Sequence, residues 1–351
     1  MNSKTEPGPV ERFVPKRPVR LSARRQAALY CLFVLIAWGL GYSALNRYDP
    51  RKFPGLSDIK SYAAMVAGDP VPGPEHLQFR VLVPWVAKPF YRLARGHVGS
   101  WDPVLFALLL SDSLFVAATA LLIVMIGSGL LGDYPVSLLA ALLYMVNFAV
   151  PNLRLVGLVD AGEGFFLLAL YWSLSKSQFW PLPVIACLGT LAKESFIPFS
   201  IVFAAAWWLV AGKKLESRRA SAMWIVSSWV ASLATLIAIH YSITGKMLGL
   251  VSFASSLQGN YHYWSQFTSS LWDRNLWYVF IWLLPAGIPK LRKFPKSWLI
   301  PTAAAAVMAF VLDGYYSGDY GTVGRALFSI AGPLLTLSAG KLLLDDFGTS
   351  R

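Results

Sequence analysis

Residues 104–131 read VLFALLLSDSLFVAATALLIVMIGSGLL, and Asp112 is the one ionisable side chain in this stretch. As an α-helix the stretch would extend about 42 Å, at a rise of about 1.5 Å per residue. The hydrocarbon core of a bilayer is about 30 Å thick and takes about 20 apolar residues to cross. The stretch therefore predicts a transmembrane helix.

Similar stretches occur along the whole chain. Seven more blocks are nearly free of charge, at 27–45, 136–150, 197–211, 222–243, 276–288, 298–312 and 326–344. Two shorter apolar blocks, 161–174 and 182–192, have charged residues at their ends. Only 14% of the residues are charged, whereas soluble proteins carry about 25%. We therefore predict an all-α polytopic membrane protein with about ten transmembrane helices.

The basic residues predict the orientation of these helices. They crowd residues 1–25, ahead of the first apolar block, and recur in the segments 213–219 and 289–297. Basic residues beside membrane helices stay in the cytoplasm. We predict a cytoplasmic tail at 1–25 and a single transmembrane domain at 26–351, with both termini in the cytoplasm. The net charge of +13 is then an orientation signal. Nucleic-acid binding is disfavoured, because no basic stripe is interleaved with aromatic residues on a polar fold.

Two long polar segments, 46–100 and 244–275, become outer loops in this topology. In the first, residues 58–67 predict a helix, with Ser57 as N-cap and Asp58 in the first turn, where a carboxylate suits the helix dipole. Residues 79–93 predict an amphipathic helix in the headgroup plane, with Arg80, Lys88 and Arg92 toward the lipid phosphates. The second loop is rich in aromatic residues: Tyr261, His262, Tyr263, Trp264, Phe267 and Trp272.

Ionisable residues at membrane depth are expensive, so each is a functional candidate. Asp112 is expected to hydrogen-bond a neighbouring helix. The others are Asp160, Glu163, Lys193, Glu194, Asp313, Asp319 and Arg325, and six of the eight residues fall on the outer side in the ten-helix topology. Together with Asp58 they predict a polar cavity at the outer face, capped by the two long loops. Lys193 and Glu194 could instead form a simple ion pair with each other that reaches the headgroups.

The order of these residues resembles a known family. Asp58 is followed four residues on by Tyr62, and Arg80-Val-Leu-Val-Pro84 comes later in the same loop; the remaining motifs are Asp160, Lys193-Glu-Ser195 and Arg325. This series resembles the bacterial branch of the GT-C glycosyltransferases, multi-spanning enzymes of the inner membrane that use polyprenyl-phosphate sugars. The resemblance covers most of the chain as topology and about six short motifs as sequence.

The resemblance implies roles for individual residues. Asp58 matches the family's general base, although Asp49 in the same loop is an alternative. Arg80, Lys193 and Arg325 match the residues that hold the lipid phosphate. The implied ligands of the sugar or acceptor are Tyr62, Asp160, Glu163 and Glu194. The acceptor would be a glycan, a lipid or a protein in cell-envelope biogenesis. No cofactor is firmly implied. A divalent cation on Asp160 and Glu163 is an alternative, but a lone acid at position 58 departs from the paired acids of many members.

Other readings of the same residues stay open. Asp58 could serve only as a favourable charge at a helix start, and the Arg80 segment only as an interfacial anchor. The aromatic loop could be a membrane-interface belt or a surface on which sugars stack. For the whole chain, the rivals are a transporter or flippase for a lipid-linked solute and a non-catalytic scaffold. Charges clustered at one membrane face favour an enzyme over a transporter.

Overall fold

The computed structural model describes residues 21–53, 56–212, 215, 217–247, 263–316 and 322–348. Of the described residues, 81% are helical and none lies in a strand, in agreement with the predicted all-α class. Residues 1–20 of the basic tail, together with Tyr261, His262 and Asp319, lie outside the described residues. The side chain of Asp313 lies outside them as well.

The helices are numbered here in chain order. They are α1 (Ala23–Leu40), α2 (Tyr42–Asn46), α3 (Ile59–Ala67), α4 (Leu82–Ala94), α5 (Pro103–Leu131), α6 (Tyr134–Val146), α7 (Asp160–Ser175), α8 (Leu182–Ala192), α9 (Phe196–Ala211), α10 (Arg218–Thr244), α11 (Tyr263–Leu271), α12 (Arg274–Phe280), α13 (Leu283–Gly287), α14 (Lys296–Tyr316) and α15 (Thr322–Gly348). Short turns of other helix types occur at Pro50–Lys52, Glu75–Phe79, Val150–Arg154 and Ile288–Lys293.

In the described part of the chain, three helices are long and apolar enough to cross a membrane: Pro103–Leu131, Arg218–Thr244 and Val323–Asp345. The chain therefore has the character of a membrane protein. All ten predicted apolar blocks are mainly helical, although block 27–45 is divided between α1 and α2, block 136–150 extends past the end of α6, and block 276–288 is divided between α12 and α13. Several of the other helices are short; α8, for example, has 11 residues and extends about 16 Å. The number of ten crossings stays a prediction.

One apolar core joins most of the long helices. Helix α5 packs against α1, α4, α6 and α7, while α15 packs against α6, α7, α13 and α14. Small residues let these helices approach closely: a Cβ at Gly127 of α5 would lie 2.6 Å from Ser137 Oγ of α6 and 2.5 Å from Leu337 of α15. Helix α10 differs, because only 17% of its apolar stretch is buried against 72% for α15. An exposed apolar surface of that size fits contact with lipid better than with water.

The segment after α1 folds onto the beginning of α5. Apolar side chains of α3 and α4, among them Ile59, Tyr62 and Val83, form a second buried cluster with the first turns of α5. Ser111 of α5 donates a hydrogen bond to the Val83 carbonyl at 3.0 Å. Arg51 adds an ionic link, because it contacts both Asp49 at 2.9 Å and Asp102 at 2.8 Å. The predicted folded loop is thus fixed to the helix that follows it.

The two predicted loop helices are present with shifted starts. Helix α3 begins at Ile59 with Asp58 as the N-cap residue, so the assignment of Ser57 as N-cap was wrong. The helix ends at Gly68, whose φ of +85° is left-handed backbone that glycine adopts without strain. Helix α4 begins at Leu82 rather than at Phe79. Arg80 therefore precedes the helix and is buried, with 9% of its surface exposed. The prediction that it faces lipid phosphates from an amphipathic helix is wrong.

Candidate functional site

Arg80 is the centre of a first group of polar side chains. Its Nε donates to Glu194 Oε2 at 2.7 Å, and its Nη2 donates to Glu194 Oε1. Glu194 lies in the short connection between α8 and α9. This two-bonded pair therefore ties the loop after α1 to the middle of the chain.

The other side of the guanidinium meets α3. Arg80 Nη1 donates to the Tyr62 hydroxyl at 2.9 Å and lies 3.5 Å from Asp58 Oδ2. The Asp58 side chain makes no capping hydrogen bond to its helix, although it occupies the N-cap position. It is 20% exposed. Asp58 is thus a partly accessible carboxylate. The neighbouring Arg80 makes shorter contacts with Glu194 and Tyr62 than with Asp58.

Lys193 is the centre of a second group. Its Nζ donates to Asp160 Oδ1 at 2.8 Å and lies 3.6 Å from Glu163 Oε2. Arg325, in the first turn of α15, approaches Asp160 Oδ2 at 3.5 Å, and Ser195 donates to the other oxygen of Glu163. Asp160 and Glu163 are buried on one face of α7, where two carboxylates would repel. Lys193 between them offsets that repulsion.

Lys193 and Glu194 are neighbours in sequence but belong to different groups. The backbone at Lys193 is extended, with φ −164° and ψ 134°, and consecutive side chains of extended backbone point to opposite sides. Lys193 therefore reaches Asp160, while Glu194 reaches Arg80. The alternative of a simple ion pair between the two neighbours is wrong. The two groups meet at the start of α7, the end of α8 and the starts of α9 and α15, which we call the charged end of the molecule.

Burial and charge decide the ionisation of the Arg80 pair. Burial alone would raise the pKa of Glu194. The charge and hydrogen bonds of Arg80 have the larger, opposite effect, and the pKa falls from 4.5 to about 2. Burial likewise works to lower the pKa of Arg80, and Glu194 more than offsets this and raises it. Burial raises the pKa of Tyr62, so its hydroxyl keeps its proton. At neutral pH the pair is fully charged and Tyr62 is neutral.

Tyr62 and Asp49 are engaged in ways that limit their predicted roles. Tyr62 is fully buried in the cluster of α3, α4 and α5, so its ring offers no open face on which a sugar could stack. Asp49 accepts hydrogen bonds from the backbone and side chain of Arg51. Its contacts are with that arginine and not with the Arg80 group, which favours Asp58 over Asp49 as the acid of the site.

Arg154 is a further cation that the sequence offers to Asp160 and Glu163, and it is buried near the second group. It is 2% exposed, donates to Tyr144 and to Ser329 at 2.9 Å, and lies 4.9 Å above the Phe328 ring. Among the described residues no carboxylate lies within 4.0 Å of it. The signal in the sequence was an arginine inside the apolar run that precedes Asp160.

Asp112 is hydrogen-bonded, but its partner lies in the connection before α7 and not in a neighbouring helix as predicted. Its Oδ2 accepts from the backbone N–H of Gly157 at 3.1 Å. Its other oxygen is buried and has no hydrogen-bond partner in the described part of the chain. Asp112 therefore stands apart from both ionic groups.

The described residues contain no group of three or more His, Cys, Asp or Glu side chains that could hold a metal ion. The acids that an ion would need are occupied by cationic side chains: Asp160 and Glu163 by Lys193, and Glu194 by Arg80. The alternative of a divalent cation on Asp160 and Glu163 does not fit this arrangement.

The described part of the aromatic segment forms an open cleft. Trp272 is 81% exposed, and a cavity of about 430 Å³ is lined by Thr268, Ser269, Trp272, Asp273 and Arg274. Helix α12, which follows, touches the start of α15: a Cβ at Gly324 would lie 3.0 Å from the Cα of Leu276. The cleft is therefore close in sequence to the residues that pack beside Arg325.

No protein-family model matches the chain, and no curated protein matches it in sequence. The chemistry of the charged end is therefore the guide to the function of this protein.

Proposed function

We propose that this protein is a polytopic glycosyltransferase of the GT-C type. It would cross a bacterial inner membrane about ten times and transfer a sugar from a polyprenyl-phosphate donor to an acceptor at the outer face. The order of ten apolar helices supports this proposal, as does the collection of charged side chains at one end of them. Apolar helices suit a lipid-linked donor, and the charges suit its phosphate.

The observation that carries the proposal is the state of Asp58. Asp160 and Glu163 are buried and contact Lys193, and Glu194 is held by both edges of its carboxylate. Asp58 is partly exposed, and its one contact to a cation is long, at 3.5 Å. A general base needs an ionised carboxylate within hydrogen-bond reach of the substrate hydroxyl. Asp58 meets the second requirement best among these acids, because no close contact with a cation occupies its oxygens.

The reaction can be written with these residues. Asp58 accepts the proton of the acceptor hydroxyl as its oxygen attacks the anomeric carbon. The bond from that carbon to the phosphate oxygen breaks, and the polyprenyl phosphate leaves with the electron pair. Cations near the leaving oxygen stabilise the charge that develops there. Protonated Asp58 and the lipid phosphate are the products beside the new glycoside.

The three cations differ in how well they suit the phosphate. Arg80 donates from Nε and Nη2 to Glu194 and from Nη1 to Tyr62. We therefore assign Arg80 a structural role in the site. Lys193 lies between two acids. Arg325 has one described contact with a carboxylate, at 3.5 Å, and arginine can grip a phosphate with two parallel hydrogen bonds. We therefore propose Arg325 as the main phosphate ligand, with Lys193 beside it.

The test is sugar transfer by purified protein in liposomes supplied with a polyprenyl-phosphate sugar. Replacing Asp58→Asn should reduce the rate by at least about 100-fold, as expected for loss of a general base. Asp49→Asn removes an acid of the same loop that contacts Arg51, and it should retain most of the activity. Normal transfer by Asp58→Asn would exclude Asp58 as the base.

A transporter or flippase for a lipid-linked solute is the second candidate. It is favoured by Asp112 and Arg154, which are charges fully buried away from the Arg80 group. Transport would tolerate Asp58→Asn and would depend on Arg154, and it would move a fluorescent lipid-linked sugar across liposomes without forming a glycoside. A non-catalytic scaffold would show neither transfer nor transport.

A further inference from the structure

The Arg80 guanidinium lies between two carboxylates and binds one of them more closely than the other. Glu194 receives two hydrogen bonds from the Nε and Nη2 side. Asp58 lies 3.5 Å from Nη1, which already donates to Tyr62 at 2.9 Å. Two parallel bonds between an arginine and a carboxylate form the strongest and most directional pairing of these groups. Glu194 therefore holds the place that would neutralise Asp58 most fully.

The three residues come from separate parts of the chain. Asp58 and Tyr62 belong to α3, Arg80 precedes α4, and Glu194 follows α8. One cation shared by two carboxylates leaves the group with a net charge of about −1 when both acids are ionised. With Glu194 made neutral, the same cation would serve Asp58 alone. A carboxylate with an arginine to itself holds its charge more firmly and accepts a proton less readily.

We propose that Glu194 is a positioning residue that holds Arg80 away from full pairing with Asp58 and so leaves Asp58 able to accept a proton. This inference rests on the proposed role of Asp58 in sugar transfer. It also replaces the earlier expectation that Glu194 binds the sugar or acceptor. Tyr62 contributes by occupying Nη1, the one guanidinium nitrogen within 3.5 Å of Asp58.

Other charged groups surround Asp58 and must be held constant in a test. On α3, on the elements packed against it and in the contacts of Arg80, these are Lys60, Lys52, Glu75, His76, Arg80, Lys88, Arg92, Asp112, Glu194 and the mutually bonded group of Asp49, Arg51 and Asp102. Arg51 is engaged by Asp49 and Asp102, at 2.9 and 2.8 Å. Arg80 is therefore the cation whose pairing changes when Glu194 is replaced.

The experiment measures the proton affinity of Asp58 without relying on activity. A carbodiimide modifies a protonated carboxyl, so labelling of Asp58 across a pH series, read by mass spectrometry, gives the midpoint of its titration. We expect Glu194→Gln to move that midpoint to lower pH by about one unit or more, since an opposite charge nearby lowers a carboxyl pKa by about 1–3 units. Glu194→Asp keeps the charge and should restore most of the wild-type midpoint.

Glu163→Gln is the matched control. It removes the same charge from a buried glutamate that contacts Lys193 and Ser195 rather than Arg80. Its effect on the Asp58 midpoint should be less than half that of Glu194→Gln. An unchanged or raised midpoint in Glu194→Gln would overturn the inference, and so would an equal shift in the control.

Two further results complete the test. Where Glu194→Gln does not fold, Tyr62→Phe frees Nη1 for Asp58 and should lower the midpoint by a smaller amount; no shift there overturns the inference. In the transfer assay the acidic limb of the rate profile should move with the labelling midpoint. The wild-type protein could transfer no sugar while Glu194→Gln still shifts the labelling midpoint of Asp58. That result would contradict the proposed function but support the effect of Glu194 on Asp58.

Discussion

At the scale of single residues, the pair of Arg80 and Glu194 is the most consequential contact for stability. Both groups are mostly buried, with side chains 11% and 29% exposed, and both are charged. A buried ion pair contributes little relative to apolar residues of the same volume, but removing one partner leaves a buried charge without compensation. The pair therefore fixes the structure of the site more than it adds to the overall free energy of folding.

This leads to a prediction for single and double variants. Arg80→Met should reduce the free energy of unfolding by about 2 kcal/mol, because the partly buried Glu194 loses its partner. The double variant Arg80→Met, Glu194→Leu should be more stable than the single variant. Thermal unfolding in detergent measures both. Equal or lower stability of the double variant would show that Glu194 is not stranded by loss of Arg80.

The lowered pKa of Glu194 predicts a dependence of stability on pH. The group binds a proton in the unfolded chain near pH 4.5 and in the folded protein only near pH 2. Its contribution to stability is therefore complete above about pH 4.5 and is lost as the pH falls toward 2. The unfolding temperature should drop across this window, and it should drop less in Glu194→Gln. Parallel profiles for the two proteins would contradict the ionised pair.

The sequence drew attention to the charged residues of the site, but it did not predict which of them pair with each other. Asp58, Asp160, Glu163, Lys193, Glu194 and Arg325 attract attention because charges are rare in this chain. Their pairing depends on backbone direction, and the extended conformation at Lys193 sends it and Glu194 to different acids. Nothing in the local sequence specifies that conformation. Arg154 does not contact the acids that follow it in the sequence, and its partners, Tyr144 and Ser329, come from distant helices.

At the scale of elements, Pro84 explains why Arg80 is not part of α4. The proline ring would clash with the carbonyl of the residue four positions earlier in a continuous helix, and that residue is Arg80. Pro84 is tolerated in the first turn, so the helix begins at Leu82. The apolar spacing of the segment predicted the helix correctly. The predicted start at Phe79 did not take Pro84 into account, and the later start moves Arg80 from the helix surface into the site.

The segment of α11 and α12 yields a prediction that separates a sugar surface from a membrane anchor. Trp272 lines the cleft of about 430 Å³, while Trp264 of α11 is similarly exposed, at 74%, but does not line it. If the cleft binds the acceptor glycan, Trp272→Ala should weaken oligosaccharide binding by about fivefold, the equivalent of about 1 kcal/mol for an aromatic contact. Calorimetry in detergent measures this.

Trp264→Ala is the control for that experiment and should leave oligosaccharide affinity unchanged. If both tryptophans only anchor the protein at the membrane interface, neither replacement alters oligosaccharide binding. In that case brominated lipids would quench the fluorescence of both residues, and the sugar-binding role of the cleft would be excluded.

At the scale of the whole molecule, the charged end explains why several helices are short. Helices α8 and α9, with 11 and 16 residues, extend about 16 and 24 Å, less than the roughly 30 Å of a hydrocarbon core. Helix α10, with 27 residues, extends about 40 Å. If the helices are level at the opposite end, Lys193 and Glu194 lie in a recess below the outer surface. Such a recess would let water and a lipid headgroup meet the charges.

Composition predicted the helical class and the position of every apolar block, because burial of apolar residues in lipid leaves few alternatives. Composition did not predict how many helices cross the membrane. That number depends on the lengths of the helices, which the charged end and breaks such as the one between α12 and α13 determine. A labelling experiment resolves this. The exposed Cys31 and the half-buried Cys187 would first be replaced by serine.

Single cysteines are then introduced as Lys60→Cys on α3 and Ala220→Cys at the start of α10, both at exposed positions. With ten crossings, five passes separate α3 from the start of α10, so an impermeant maleimide added to intact cells should label position 60 alone. Position 220 should be labelled only after the membrane is opened. The reagent must also fail to label Ala309→Cys, which is buried in α14. If positions 60 and 220 react from the same side, the number of passes between them is even and the outer-face cavity is excluded, because the charged end and the basic loops would no longer lie on opposite sides of the membrane.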